Sequence, residues 1–257
     1  MTKPLIVITN RPTWAEDVRQ TLSDVYKVFE YPDRTGYVTR LVDEGAALIL
    51  VDGDQDDWKF WTATPKSSPA TRRIPIALIA SDKDARLEAL AAGADLTFTP
   101  EAFLSEAKQI VADYARVPDP EQMERLEREC QEALPDLARQ GVEKFNAGEY
   151  YRQHDLFEAL WVQTQGPVRD LYRAILQVGV AYYQITRGNH RGALKMLLRS
   201  VQWLAILPDV CQGVDVKQLR EDSYRVRAAL ESMNPDDIAA FDRSLLKPVK
   251  MRNITKL

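Results

Sequence analysis

The stretch Ala46-Ala47-Leu48-Ile49-Leu50-Val51-Asp52 decides the fold of the first half of this chain. Six apolar residues run without polar alternation, which suits a strand covered on both faces, and the run delivers Asp52 at its carboxyl end. Leu5 to Thr9 reads the same way, and Tyr26 to Tyr31, Ile74 to Ala80 and Leu96 to Thr99 complete a set of five strands. Helical patterns separate them. The first follows Thr13-Trp14-Ala15-Glu16, which has the form of a capping box, and runs to Asp24. Tyr37 to Glu44 is ended by Gly45, Asp56 to Trp61 is a short helix, and Asp82 to Ala92 and Glu101 to Ala115 are longer ones. The segment Thr62 to Arg73, with its prolines and hydroxyl residues, reads as a loop. Such alternation predicts a doubly wound α/β domain built on a five-stranded parallel sheet. Working sites in these sheets lie outside the carboxyl ends of the strands, where Asp52 is placed.

ALILVD, IPIALIAS and the run Ala91-Ala92-Gly93-Ala94-Asp95 before Pro100 resemble the receiver domains of two-component response regulators, over residues 3 to 116. The resemblance implies strand order 2-1-3-4-5 and puts Asp52 at the phosphoacceptor position. It also implies an acidic pair after the first strand to hold Mg²⁺, a Ser or Thr ending the fourth strand, and a Lys before the final proline. Here Thr9-Asn10 stands in place of the acidic pair, Ala80 takes the Ser/Thr position with Ser81 one place late, and Thr99 replaces the Lys. A hard dication bridging acceptor and phosphoryl oxygens needs carboxylate ligands. Asp52 alone, or with Asp54, Asp56 and Asp57 improvising, would hold it weakly, so the expectation is a pseudo-receiver used for docking or dimerisation.

Val117-Pro118-Asp119-Pro120 breaks the chain, because proline stops the preceding helix and offers no N–H. The expected organisation is a receiver-like domain over 1–116, a linker over 117–122 and an all-α helical bundle over 123–257. Glu121 to Gln140 reads as an amphipathic helix interrupted at Pro135, and no strand is expected beyond the linker. After the turn at Gly148, His154, Glu158 and Trp161 fall at i, i+4 and i+7 and share one helix face. Pro167 to Thr186 carries Arg173, Gln177 and Gln184 on a single stripe, and a further helix runs from His190 to Leu207. Asp215 to Met233 and Pro235 to Leu246 read as two more amphipathic helices, before a basic, solvated tail from Lys247 to Leu257.

The set F-N-A-G-E-Y-Y-x-x-H-D-x-x-E-x-x-W, then L-Y-R-A-I-L-Q and R-G-N-x-R-G-A, resembles a family of small helical domains known only as domain of unknown function three hundred and nine. That resemblance covers about residues 137 to 206 and implies a helical bundle around a polar cluster. The carried-over positions are His154, Asp155 (where Glu is more usual), Glu158, Trp161, Gln177, Arg187 and Asn189.

Three readings of His154, Asp155 and Glu158 stay open. They form a hydrogen-bonded structural or small-ligand network, a divalent-metal site with His154 and Glu158 as ligands, or a metal-free acid–base pair. His190, in a Gly-flanked turn, is expected to cap the surface.

Composition narrows the field. A net charge of −4 lacks the basic face that nucleic acid requires, which leaves nucleic-acid partners unexpected. No apolar run reaches a membrane span, and the five-residue run at Leu5 to Thr9 is short for a signal peptide. Two cysteines, Cys130 and Cys211, are too few for a disulfide framework or a thiolate zinc site, and their scarcity fits a reducing, cytoplasmic setting. The function these residues suggest is regulatory: a pseudo-receiver that self-associates or docks a protein partner, joined to a helical effector that binds a small ligand or protein. The alternative is an enzyme, a metal-dependent hydrolase among the options, using His154, Asp155 and Glu158.

Overall fold

A computed structural model describes residues 3–252. The chain divides between Val117 and Pro118 into two compact units.

The first unit runs β1 (Leu5–Thr9), α1 (Ala15–Leu22), β2 (Lys27–Tyr31), α2 (Tyr37–Asp43), β3 (Ala46–Asp52), α3 (Trp58–Ser67), β4 (Ile76–Ile79), α4 (Lys83–Ala92), β5 (Leu96–Phe98) and α5 (Pro100–Tyr114). All pairings are parallel, in the order β2-β1-β3-β4-β5. Alternate residues of the central strands feed two cores. Ile6, Ile8, Leu48, Leu50, Ala77 and Ile79 meet Trp14, Val18, Phe103 and Val111 on one face. Leu5, Val7, Ile49, Val51, Ile76 and Leu78 meet Tyr37, Leu41, Trp58 and Trp61 on the other. Both sides of each strand are dry, so its sequence is apolar throughout rather than alternating.

Two local expectations for this unit fail. The capping box does not form, since Trp14 occupies the cap position without a side-chain bond. Trp14 is anchored in the core, and the Glu16 carboxylate is taken by Arg19 and Gln20 on its own helix. The expected loop from Thr62 is helical as far as Ser67, through Pro65. Trp58, Trp61, Thr62 and Pro65 form a buried stripe at i, i+3, i+4 and i+7, and burying it outweighs the hydrogen bond that proline forfeits.

The second unit is helical: α6 (Pro120–Cys130), α7 (Asp136–Asn146), α8 (Tyr150–Gln163), α9 (Arg169–Thr186), α10 (His190–Ile206) and α11 (Val216–Ser232). α9 is its centre, packed against α8 and α10, with α7 beyond α8 and α11 beyond α10. Eleven of its eighteen residues are buried, as an apolar helix inside a bundle must be.

Other expectations are revised here. A hairpin, β6 (Val210–Cys211) and β7 (Val214–Asp215), lies between α10 and α11. Its turn places Gln212 and Gly213 at positive φ, 49° and 77°, and a Gln there hides the usual Asn-Gly signal. Pro235 to Leu246 is not one helix but two 3₁₀ turns, Pro235–Ala240 and Arg243–Leu245. Asn234 and Asp242 each cap the following turn with a side-chain oxygen, so local bonding divides the segment.

His190 is buried, and its Nε2 lies 2.7 Å from the Leu230 carbonyl. A carbonyl only accepts, so Nε2 carries the proton and the residue ties α10 to α11. The tail is held as far as Arg252. Asn146 donates to the Val249 carbonyl at 2.9 Å and accepts from its N–H at 2.7 Å, and Arg252 reaches Asp215 at 2.7 Å. The last five tail positions, 253–257, lie outside the described residues.

Cys130 and Cys211 form a disulfide, so the inference of a reducing compartment from scarce thiols loses its support. No helix among the described residues is long and apolar enough to cross a membrane.

Candidate functional site

In the α/β unit the carboxyl ends of β1 and β3 bring Thr9, Asn10 and Asp52 together. The Asp52 N–H donates to Thr9 Oγ1 at 3.0 Å, and the Asp52 carboxylate accepts from the Asp54 N–H at 3.2 Å. Asp52 is only 2% exposed. Burial holds its pKa above the usual Asp range, against the bond from Asp54, and the nearby Asp54 and Asp57 charges push the same way.

Two of the neighbouring carboxylates, Asp54 and Asp57, are engaged in other hydrogen bonds. Asp57 accepts from Asn10 Nδ2 (3.2 Å), Trp61 Nε1 (2.9 Å) and Arg34 Nε (3.2 Å). Asp54 accepts from the Ser81 N–H at 2.8 Å and from Ser81 Oγ at 3.0 Å. Thr99, where the receiver pattern has Lys, caps α5 through Ala102 N–H. Of the three carboxylates that could have improvised an ion site, Asp54 and Asp57 are thus engaged in hydrogen bonds, while Asp56 is exposed. Among the described residues no cluster of three or more His, Cys, Asp or Glu is placed to hold a metal.

The helical unit builds a second site from three helix stripes. α8 supplies His154, Glu158 and Trp161, at i, i+4 and i+7. α9 supplies Arg173, Leu176, Gln177 and Val180, at i, i+3, i+4 and i+7, and α10 supplies Met196 and Arg199. Together they line a pocket of about 210 Å³. The Arg173 guanidinium lies 3.9 Å from the Trp203 ring centroid and 4.9 Å from that of Trp161. Two indole faces thus fix the cation, while its N–H groups lie in the plane at its edge. Arg169, one turn earlier, also lies over Trp161, at 5.5 Å.

Gln177 is 4% exposed, and neither its Oε1 nor Trp161 Nε1 has a hydrogen-bond partner among the described residues. A buried polar atom left unmatched costs about 1–3 kcal/mol, and both atoms belong to residues that line the pocket.

His154 Nδ1 stands 3.2 Å from Asp155 Oδ1 and 4.0 Å from Glu158 Oε2. Both carboxylates are more than half exposed. One imidazole and one pocket carboxylate fall short of the four ligands of a structural zinc site or the three of a catalytic one.

Of the residues singled out from sequence, His154, Glu158, Trp161 and Gln177 come together. Asp155 touches His154 but lines a separate, shallow depression with Lys144 and Arg152. Arg187 and Asn189 lie in the exposed α9–α10 turn. Asn189 Oδ1 caps α10 through Gly192 N–H at 2.9 Å, and its Nδ2 donates to Gln184 Oε1 at 2.8 Å. Those two positions shape the turn and do not line the pocket. Met196, Arg199 and Trp203 are not among the residues singled out from sequence, although they share a helix face at i, i+3 and i+7. Trp203 packs on the core while also bracing Arg173.

The chain aligns with an uncharacterized protein of Aquifex aeolicus (strain VF5), 21% identical over 104 residues, covering 40% of this chain and 31% of that protein. It therefore spans about a third of the length of this curated relative. Residues 138–196, from α7 to the first turns of α10, match the family model described as a domain of unknown function, DUF309.

Proposed function

We propose that this is a regulatory protein whose α/β unit is a docking or self-association platform without a phosphoryl switch, and whose helical unit binds a small ligand between α8, α9 and α10. The observation that carries the ligand-binding reading is the lining of that pocket. A guanidinium braced by two indoles lines the same pocket as a buried Gln177 oxygen and a Trp161 N–H, and the last two have no hydrogen-bond partner among the described residues. A purely structural core closes a buried amide oxygen and an indole N–H on partners of their own.

The platform reading rests on the commitment of Asp54, Asp57 and Asn10 to hydrogen bonds around a buried Asp52. An acid–base role for His154 has less behind it, since its carboxylate neighbours are exposed and solvent screens them.

A thermal-shift screen of the full chain against small metabolites tests the ligand reading. Compounds that raise the unfolding midpoint in the native protein should fail to do so in Trp161→Phe, which keeps a smaller aromatic face under Arg173 and removes the N–H. A screen without a pocket-dependent hit refutes it. For the other unit, acetyl phosphate with Mg²⁺ should leave the intact mass unchanged. A phosphoryl adduct that disappears in Asp52→Ala would refute that part.

A further inference from the structure

We infer that the exposed α9–α10 turn and the first turns of α10 bind single-stranded nucleic acid, with cations on the phosphates and an exposed tyrosine pair under the bases. The charge of the chain is segregated. Between Glu158 and Asp209 stand six cations, Arg169, Arg173, Arg187, Arg191, Lys195 and Arg199, and a single carboxylate, Asp170. The net charge of −4 conceals this. Salt screens exposed charges beyond about 8 Å at physiological ionic strength, so the local set decides what a phosphate meets.

Arg169, Arg173 and Arg199 are set aside, because each interacts within the bundle. The other three are exposed, and none has an ion-pair or side-chain hydrogen-bond partner among the described residues. Arg187 closes α9, and Arg191 and Lys195 stand one turn apart at the start of α10. Asp170 lies in the first turn of α9, about 25 Å from Arg187 at 1.5 Å per residue. On adjoining elements, Glu149 holds Lys144 and Arg152, and Asp155 stands beside His154. Asp236 and Asp237, in the 3₁₀ turn that packs on α10, make no ion pair with the three cations.

Tyr151 is an independent observation. At 67% it is the most exposed large apolar side chain among the described residues, and its ring lies 6.1 Å from that of Tyr183. Tyr183 is one turn before Arg187, whose N–H donates to the Tyr183 carbonyl. Aromatic faces beside unpaired cations serve a nucleotide strand, because bases stack on the rings while phosphates take the guanidinium and ammonium groups. An acidic peptide would use the cations and leave the rings idle. An anionic membrane calls for apolar side chains that insert, and α10 exposes no large one among the described residues.

Fluorescence anisotropy of a labelled ten-nucleotide oligouridylate with the full chain, at 50 and 200 mM KCl, tests this. Three neutralised phosphates give a slope of about −2 in log K against log salt, or roughly twentyfold weaker binding at the higher salt. Arg191→Gln should flatten that slope by about 0.7. Tyr151→Ala should weaken binding about tenfold at either salt and leave the slope unchanged. Both changes are at exposed positions, so each variant should keep the native unfolding midpoint. Lys83→Gln, which removes an exposed cation of the α/β unit, should leave binding as it was. Undetectable binding at 50 mM KCl overturns the inference, as does full affinity in Tyr151→Ala. It is also overturned if Lys83→Gln loses as much as Arg191→Gln, or if polyglutamate or phosphatidylglycerol vesicles bind more tightly than the oligonucleotide.

Discussion

Reduction of the Cys130–Cys211 bond should destabilise the helical unit and leave the α/β unit untouched. The bond joins the end of α6 to the β6–β7 hairpin across a sequence separation of 81 residues, enclosing α7 to α10. In the folded state this junction is also held by hydrogen bonds. Gln212 N–H donates to the Cys130 carbonyl at 2.7 Å, and Tyr172 OH donates to Gln212 Oε1 at 2.8 Å. The disulfide therefore adds little to the native contacts and acts mainly by restricting the unfolded chain. Closing a loop of this length removes entropy worth about 4.5 kcal/mol at 25 °C on the chain-entropy model. That is a large part of the stability of an ordinary domain. Urea unfolding of oxidised and dithiothreitol-treated protein, followed by circular dichroism, should show the helical transition moving to lower urea, with the α/β transition fixed. A Cys130→Ala, Cys211→Ala double variant should match the reduced protein without thiol reagents, less the cost of the lost sulfur packing. Superimposed curves for the oxidised and reduced forms would refute the reasoning, as would two titratable thiols in the denatured, unreduced protein.

Asn146→Ala removes both bonds to the Val249 backbone. It should cost about 1–3 kcal/mol and expose the chain at Lys250 and Arg252 to trypsin, read as faster C-terminal clipping. Gly179→Ala would set a Cβ 2.3 Å from the buried Gln153 Nε2. Overpacking there should cost roughly 1–3 kcal/mol by thermal unfolding, with recovery when Gln153→Ala is added. Asp52 has a raised pKa because it is buried, so its protonated form is the one folding favours. Its contribution is complete below the unfolded Asp pKa and is lost as pH rises through the folded value. Asp52→Asn should therefore raise the midpoint of the α/β unit at pH 7 and remove that pH dependence. A lower midpoint at pH 7 would contradict the burial argument.

The sheet was legible because two-sided burial writes itself as unbroken apolar runs, and only one parallel arrangement of five such runs joined by helices suits the receiver resemblance. α8 and α9 were legible for the same kind of reason, since a stripe at i, i+4 and i+7 depends only on helical geometry. What each stripe met was not written locally. Arg173 is an ordinary helix residue until Trp161 and Trp203, from two other helices, close on its faces. His190 looked like a surface cap because its partner is a carbonyl 40 residues later. Asn146 showed no sign of its role because it clasps backbone 103 residues away, and a backbone partner leaves no mark in a side-chain pattern. The cysteine pair was visible as two residues, yet nothing in their spacing says that α6 and a short hairpin meet. Secondary structure depends on periods of two and 3.6 residues, which a single sequence displays. The pocket, the disulfide and the anchored tail depend on which distant surfaces are brought into contact, and only the packed bundle decides that.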